Sequence, residues 1–229
     1  WPTPKDLAKA SPAEVITAWG RLGYPRRALR LHAAAQIIAE DFNNQVPEDP
    51  AILQTLPGIG EYTAAAIAAF AFEKQTLVMD VNIRRLLTRV IDGNEHPKPA
   101  PTVKEKASRL ALQPTKNAHI WAAATMELGA LVCTSKNPIC EQCPVIGQCN
   151  WRKNGYPKTD LVRKSQDWHG TDRKCRGTIV QALRENESLT ESAIKKLWPD
   201  ESQVEKALKT LQNDLLIEAI PRKRYRLPA

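Results

Sequence analysis

The sequence lacks any apolar run near the roughly 20 residues that a membrane span needs, and it has no charged-then-apolar opening of the secretory kind. Neither a spanning helix nor a signal peptide is predicted, and no membrane partner is expected. Internal repeats and low-complexity tracts are also missing, so neither a solenoid nor a compositionally biased tail is expected. Through about residue 130 there is no alternating strand pattern of useful length, which points to a mostly α fold. Cysteine is sparse and unevenly placed. Of five cysteines in 229 residues, Cys133, Cys140, Cys143 and Cys149 fall in one short stretch, unlike a secreted disulfide framework. That pattern favours a reducing, cytoplasmic compartment and a metal or cluster site. Cys175 stands apart and reads as a half-buried free thiol.

What is present suffices for a packed core: 42% of the residues are hydrophobic, too many for a disordered chain. The net charge of +8 suits a polyanionic partner, and it suits an ordinary solvated basic face as well. The chain opens on Trp1 rather than Met, so a preceding segment is expected.

Helix signals recur through the first 130 residues. Ser11-Pro12-Ala13-Glu14 combines a serine cap, a proline whose missing N–H does no harm, and a glutamate placed to return a capping bond. Val15, Ile16 and Trp19 follow as an apolar face, and Gly23-Tyr24-Pro25 is expected to end that helix. Ala28 to Glu40 restarts with Leu29, Ala33, Ile37 and Ile38 on one side. Residues 61–72 form an Ala-rich run that reads as a helix buried on most sides. Asp80 to Val90 and Thr102 to Leu112 read as further helices, the second opened by a Thr102/Glu105 capping box. The expected organisation is a helical core over 1–130, a cysteine loop over 131–155, a linker over 156–171 and a separate unit over 172–229. In that last unit three helical stripes precede two strands, Leu215–Ile220 and Pro221–Leu227, around a basic turn, the layout of a winged helix.

Three motifs carry chemistry. Leu56-Pro57-Gly58-Ile59-Gly60-Glu61-Tyr62-Thr63-Ala64 places a tight Gly-x-Gly turn between two helices. Glycines allow the backbone angles and a close approach, and exposed N–H groups at the following helix start attract an anion. Such a turn grips a backbone phosphate without reading sequence. A dinucleotide-binding reading fails because no strand precedes the glycines. Asp80, eighteen positions after Tyr62, begins a helix and reads on its own as an N-cap. The third motif is Cys-x6-Cys-x2-Cys-x5-Cys, four thiolates that suit either a [4Fe–4S] cluster or a structural zinc.

The full string Leu-Pro-Gly-Ile-Gly-x-x-Thr-Ala resembles the helix-hairpin-helix motif of the DNA glycosylase superfamily. The cysteine spacing is similar to the cluster loop of endonuclease III and of adenine DNA glycosylases. Trp19 to Tyr24, Met126 to Ala130 and Val132-Cys133-Thr134 also look like adenine DNA glycosylases. The resemblance covers about residues 1–155 and extends, for actinobacterial members, to 170–229. It implies a helix-hairpin-helix glycosylase fold with a [4Fe–4S] loop held by the four cysteines. It makes Asp80 the carboxylate that stabilises an oxocarbenium-like sugar. Tyr62 then lines the base pocket. Pro57, Gly58, Ile59, Gly60 and Thr63 hold a phosphate, while Asn82, Gly23 and Tyr24 contact double-stranded DNA carrying a mismatch or an oxidised base.

Endonuclease III-like members carry a lysine where this chain has Tyr62, and that amine is the Schiff-base nucleophile of strand cleavage. Tyrosine cannot supply it, so a monofunctional glycosylase is expected, acting on adenine opposite 8-oxoguanine or guanine. A thymine or uracil mismatch glycosylase is the alternative within the superfamily, and a non-catalytic DNA-binding protein the alternative outside it. The family's leaving-group acid, a glutamate, matches no residue of the chain. The resemblance places it upstream of Trp1, so this stretch by itself is expected to be inactive. Pro25 departs from the family's second tyrosine, which weakens a wedging role there. A bacterial, nucleoid-associated monomer is expected.

Overall fold

The computed structural model describes residues 1–159 and 170–229, so most of the expected linker over 156–171 lies outside the described residues. In chain order come α1 (Pro4–Ala8), α2 (Pro12–Trp19), α3 (Arg26–Asp41), α4 (Pro50–Leu53), α5 (Glu61–Phe72) and α6 (Val81–Leu87). A π-helical turn over Thr88–Asp92 continues α6, and α7 (Val103–Ala111), α8 (Ala118–Leu131) and α9 (Asn150–Lys153) follow. After Gly170 come α10 (Asp172–Glu185), β1 (Leu189–Thr190), α11 (Glu191–Lys195), α12 (Glu201–Asn213), β2 (Glu218–Ile220) and β3 (Arg224–Arg226).

Two compact units interleave along the chain. One comprises Trp1–Pro47, Leu56–Gly58 and Lys164–Ala229; the other comprises Glu48–Thr55 and Ile59–Arg163. The first three helices therefore share a unit with the C-terminal segment.

The first unit is built around aliphatic side chains. Ile16 of α2 packs with Ile179 and Leu183 of α10, Ile194 of α11, Val204, Leu208 and Leu211 of α12, and Leu216. Its helices start where the sequence marks them. Ser11 and Glu14 form the full reciprocal box, and Thr171, Thr190 and Asp200 cap α10, α11 and α12. The sheet is antiparallel with order β1-β3-β2, and Leu189 and Ala219 both sit opposite Tyr225. Two strands were expected and three are found. β1 is only two residues long, too short for alternation to reveal it, and its Thr190 doubles as the cap of α11.

Other expectations are corrected. α2 stops at Trp19, with Gly20 at φ +53° as its cap, rather than running on to Gly23. On α3 the buried stripe is Ala28, His32, Ala34, Ala35 and Ile38, while Leu29, Ala33 and Ile37 are only partly covered. Cys175 is fully buried rather than half-buried, because α10 turns it into the aliphatic core.

The second unit packs differently. α5 buries only Ala64, Ala65, Ala68 and Ala69; Tyr62 and Phe70 are exposed, so burial on most sides does not hold. From that face Ala69 packs with Val78, Ile83, Leu87 and Ala122 in one cluster, and Leu86 and Val90 form a second cluster with Cys133. The unit also buries four arginines, Arg84, Arg85, Arg89 and Arg109. Thr102 caps α7, but the return bond of the expected box is absent, because the Glu105 carboxylate binds Arg84 at 2.8 Å instead. A buried guanidinium needs an anion more than an exposed helix start needs a second cap. Among the described residues no helix is long and apolar enough to cross a membrane.

Candidate functional site

Gly58 and Gly60 do different jobs in the turn between α4 and α5. Gly58 has φ +79°, and a Cβ there would lie 2.8 Å from the Cβ of Arg30 on α3. A left-handed backbone and a close neighbour both demand glycine at that position. Gly60 is extended at φ −94° and a Cβ there would meet nothing within 4 Å, so its surroundings are open. It begins α5 without a side-chain cap, although its carbonyl accepts from Ala64 N at 2.9 Å. The amides of Glu61, Tyr62 and Thr63 are thus the uncapped start of a twelve-residue helix. Pro57 and Ile59 flank the turn, and Leu56 buries its side chain.

Asp80 ends the extended stretch before α6. Its Oδ1 accepts from the backbone N–H of Asn82 at 2.6 Å, so it caps α6 as its position in the sequence implied. Its Oδ2 takes no hydrogen bond among the described residues, which leaves half of the carboxylate free. Tyr62 lies within the field of Asp80: burial lifts the phenol above its ordinary value, and the carboxylate adds to the lift. Tyr62 at the start of α5 and Asp80 at the head of α6 stand eighteen residues apart in the sequence, and the charge of the second is felt at the first.

Asn82 faces inward. Its Oδ1 accepts from Arg85 Nη2 at 2.8 Å. α8 approaches so closely that a Cβ on Gly129 would lie 2.6 Å from the Asn82 carbonyl oxygen. Gly23 and Tyr24 belong to the first unit. There the Gly23 carbonyl accepts from Trp19 Nε1 at 2.8 Å, and the exposed Tyr24 ring has the Arg173 guanidinium 4.4 Å from its centre.

The cysteine stretch is folded by two single 3₁₀ turns, Cys140–Gln142 and Ile146–Gln148, and all four thiols are free. They line one hollow together with Leu86, Val90, Ile146, Trp151 and Arg89, about 350 Å³ of atom-free space with its mouth included. Burial raises the Cys143 thiol; a backbone hydrogen bond from Val145 opposes this, and the other three sulfurs push it further up. No histidine or carboxylate lines the hollow, so its donors are all sulfur. Among the described residues, no three His, Cys, Asp or Glu side chains converge tightly enough to hold a single metal ion.

Sequence reasoning missed the arginines. Arg85 and Arg89 lie four apart in an otherwise apolar helical stretch, and cations at core spacing were the available signal. Arg85 Nε donates to the Cys133 carbonyl at 2.8 Å, and Arg89 Nη1 donates to Cys133 Sγ at 3.3 Å.

The uncapped helix start behind the Gly-x-Gly turn and the half-free Asp80 carboxylate can be set beside proteins of similar sequence and fold. Residues 1–111 match the family described as HhH-GPD superfamily base excision DNA repair protein. The chain is 43% identical over its whole length to an adenine DNA glycosylase of Mycobacterium tuberculosis, covering 76% of that relative. To that of Mycolicibacterium smegmatis it is 42% identical, covering 99% of the chain and 78% of the relative. Among solved structures, a thermostable thymine-DNA glycosylase superposes with a TM-score of 0.61 at 24% identity, over 67% of this chain and 71% of that one. A non-covalent endonuclease III–DNA complex gives 0.58 at 22%, over 69% and 73%. The chain belongs to the adenine DNA glycosylase family within the helix-hairpin-helix superfamily, and it is a DNA N-glycosylase of base-excision repair.

Proposed function

We propose that the enzyme hydrolyses the N-glycosidic bond of adenine mispaired with 8-oxoguanine or guanine in double-stranded DNA, and that it does not cleave the strand. The observation that carries this reading is the Asp80 carboxylate, whose Oδ1 caps α6 while its Oδ2 takes no hydrogen bond among the described residues, with a tyrosine rather than a lysine at position 62. The target base must leave the stack before its bond can be attacked, at a cost on the order of a few kcal/mol. The amides after Gly60, with Gly58, Pro57, Ile59 and Thr63 shaping the turn, hold a backbone phosphate and fix the strand. As the bond to adenine breaks, positive charge grows on the sugar, and the free Oδ2 of Asp80 stabilises it. Water completes the substitution: its oxygen and one hydrogen go to the sugar carbon and its second proton balances the departing adenine, whose immediate acid matches no residue of this chain. Tyr62 lines the pocket and has no amine, so no covalent sugar adduct forms and no strand cleavage follows. Asn82 supports the Asp80 loop through Arg85, and Gly23 and Tyr24 present an exposed edge to DNA. The wing turn carries Arg222 and Lys223 with no side-chain partner among the described residues, and it supplies additional phosphate contacts.

The four cysteines hold a [4Fe–4S] cluster in this reading. The all-sulfur donor set fits it, and so does a single Cys-x2-Cys within one compact loop, where structural zinc usually takes two separated Cys-x2-Cys pairs. When bound, it cross-links the loop to the end of α8. The protein acts as a monomer in the cytoplasm, at the nucleoid.

The test uses duplexes with one A·8-oxoguanine, A·G or T·G pair and the intact protein. Adenine release without a borohydride-trapped adduct is expected. Release of thymine but not adenine sinks the substrate assignment in favour of a thymine mismatch enzyme, and a high yield of trapped adduct sinks the monofunctional one.

A further inference from the structure

Arg89 is among the most deeply buried side chains of the molecule, at 1% exposure. Its guanidinium donates to the carbonyls of Glu95 at 3.0 Å, Thr134 at 2.8 Å and Ser135 at 3.2 Å, and to Cys133 Sγ at 3.3 Å. The Trp151 ring stacks on it, 4.5 Å from the guanidinium carbon to the ring centre. All these partners are neutral groups or a thiol. No carboxylate forms an ion pair with Arg89 among the described residues, whereas Arg84 has Glu105 and Arg109 has Asp92. The Glu95 carboxylate feels the Arg89 charge but is turned to Thr159, accepting from its N–H at 3.0 Å, and makes no ion pair with the guanidinium. A guanidinium does not shed its proton, and a buried one with no carboxylate in direct contact is costly. Yet Arg89 lines the hollow ringed by Cys133, Cys140, Cys143 and Cys149.

We propose that Arg89 is the counter-charge of the cysteine site: it fixes the Cys133 sulfur through an N–H···S bond and offsets the negative charge of the cluster-bound thiolates. Trp151 holds the guanidinium in place from its other side. The inference rests on the cluster reading given above. Arg89 touches no substrate atom and is a positioning residue. It sets how firmly iron is held and at what potential the cluster changes oxidation state, through charge and a sulfur hydrogen bond. Removing a nearby positive charge favours the more oxidised, more positive cluster, so the potential moves negative.

The experiment compares purified intact protein with the variants R89Q and R89K. Iron and acid-labile sulfide per chain, the rate of iron loss to a chelator, and the midpoint potential are the readouts. R89Q is expected to lose iron faster, on the order of 10-fold, and to shift the potential negative. R89K keeps the charge and is expected to hold the potential near that of the parent while losing iron faster than it. If R89Q retains iron as the parent does at an unchanged potential, the proposal is overturned. Should R89Q fail to fold, W151L removes the ring over the guanidinium and leaves the charge. Faster iron loss from W151L supports the proposal and unchanged loss overturns it. A parent protein with zinc or no metal overturns the cluster reading and this inference together, a failure visible before any substitution is made.

Discussion

The two compact units solve burial in opposite ways. The first fills its interior with Ile16, Ile179, Ile194, Leu211 and Leu216, and His32 is its one buried polar side chain among the described residues. The second buries Arg84, Arg85, Arg89, Arg109, Thr88 and Gln113 beside a ring of free thiols. An aliphatic interior is stable under any condition that keeps water out of it, and it asks little of geometry beyond fit. An interior of guanidiniums is stable only while each has its partner, so it commits the backbone to one arrangement. The turn after Ile59, the Asp80 carboxylate and the cysteine hollow all belong to the second unit. The unit that has to place charge holds its helices with charge.

That contrast can be broken from either side. The largest loss of stability is expected from Glu105→Gln, which strands the buried Arg84. Removing one member of such a pair costs about 3–5 kcal/mol, read as a lowered midpoint in thermal or urea unfolding. Leu211→Ala in the first unit is expected to cost about 2–5 kcal/mol by leaving a cavity, read by the same unfolding measurement. The pair also gives a pH signature. Burial alone would raise the Glu105 carboxyl, but Arg84 more than reverses this and Arg109 adds to it, so the group titrates below its ordinary value of 4.5. A lowered carboxyl contributes stability that is present above about 4.5 and is lost as pH falls through the folded value. Unfolding followed across acidic pH should therefore show a flatter profile for Glu105→Gln than for the parent.

Asp80→Asn sharpens the comparison at the site. Asparagine caps a helix as well as aspartate, so stability should hardly move. Single-turnover adenine release by the intact protein should fall about 10²–10³-fold. An unfolding midpoint that drops with the rate would mean that the residue serves the helix alone. The two glycines come next. Gly58→Ala combines a left-handed backbone with the Arg30 contact and is expected to cost about 1–3 kcal/mol. Gly60→Ala meets nothing and should leave stability nearly unchanged while weakening DNA binding. The smallest effect belongs to the first unit: Arg222→Ala with Lys223→Ala should lower the slope of log affinity against log salt by about 2, measured on undamaged duplex. An unchanged slope removes the wing from the DNA contact.

Much of this was legible in the chain itself. Ser11 and Glu14, Thr171, Thr190 and Asp200 start helices where local chemistry says they should, because a cap acts within one turn. The Gly-x-Gly turn, Asp80 at the head of α6 and the spacing of the four cysteines are local patterns too. Tertiary structure alone decided the partners. Glu105 was expected to close a cap three residues back and instead reaches Arg84, twenty-one residues away, since desolvated charge outweighs an exposed amide. β1 is written by pairing with β3 rather than by its own two residues. Helical spacing gives the face of an arginine but not the sulfur that waits there. The four cysteines announced a site from sequence; that a buried guanidinium with no carboxylate ion pair donates to the sulfur of one of them is something only the folded chain decided.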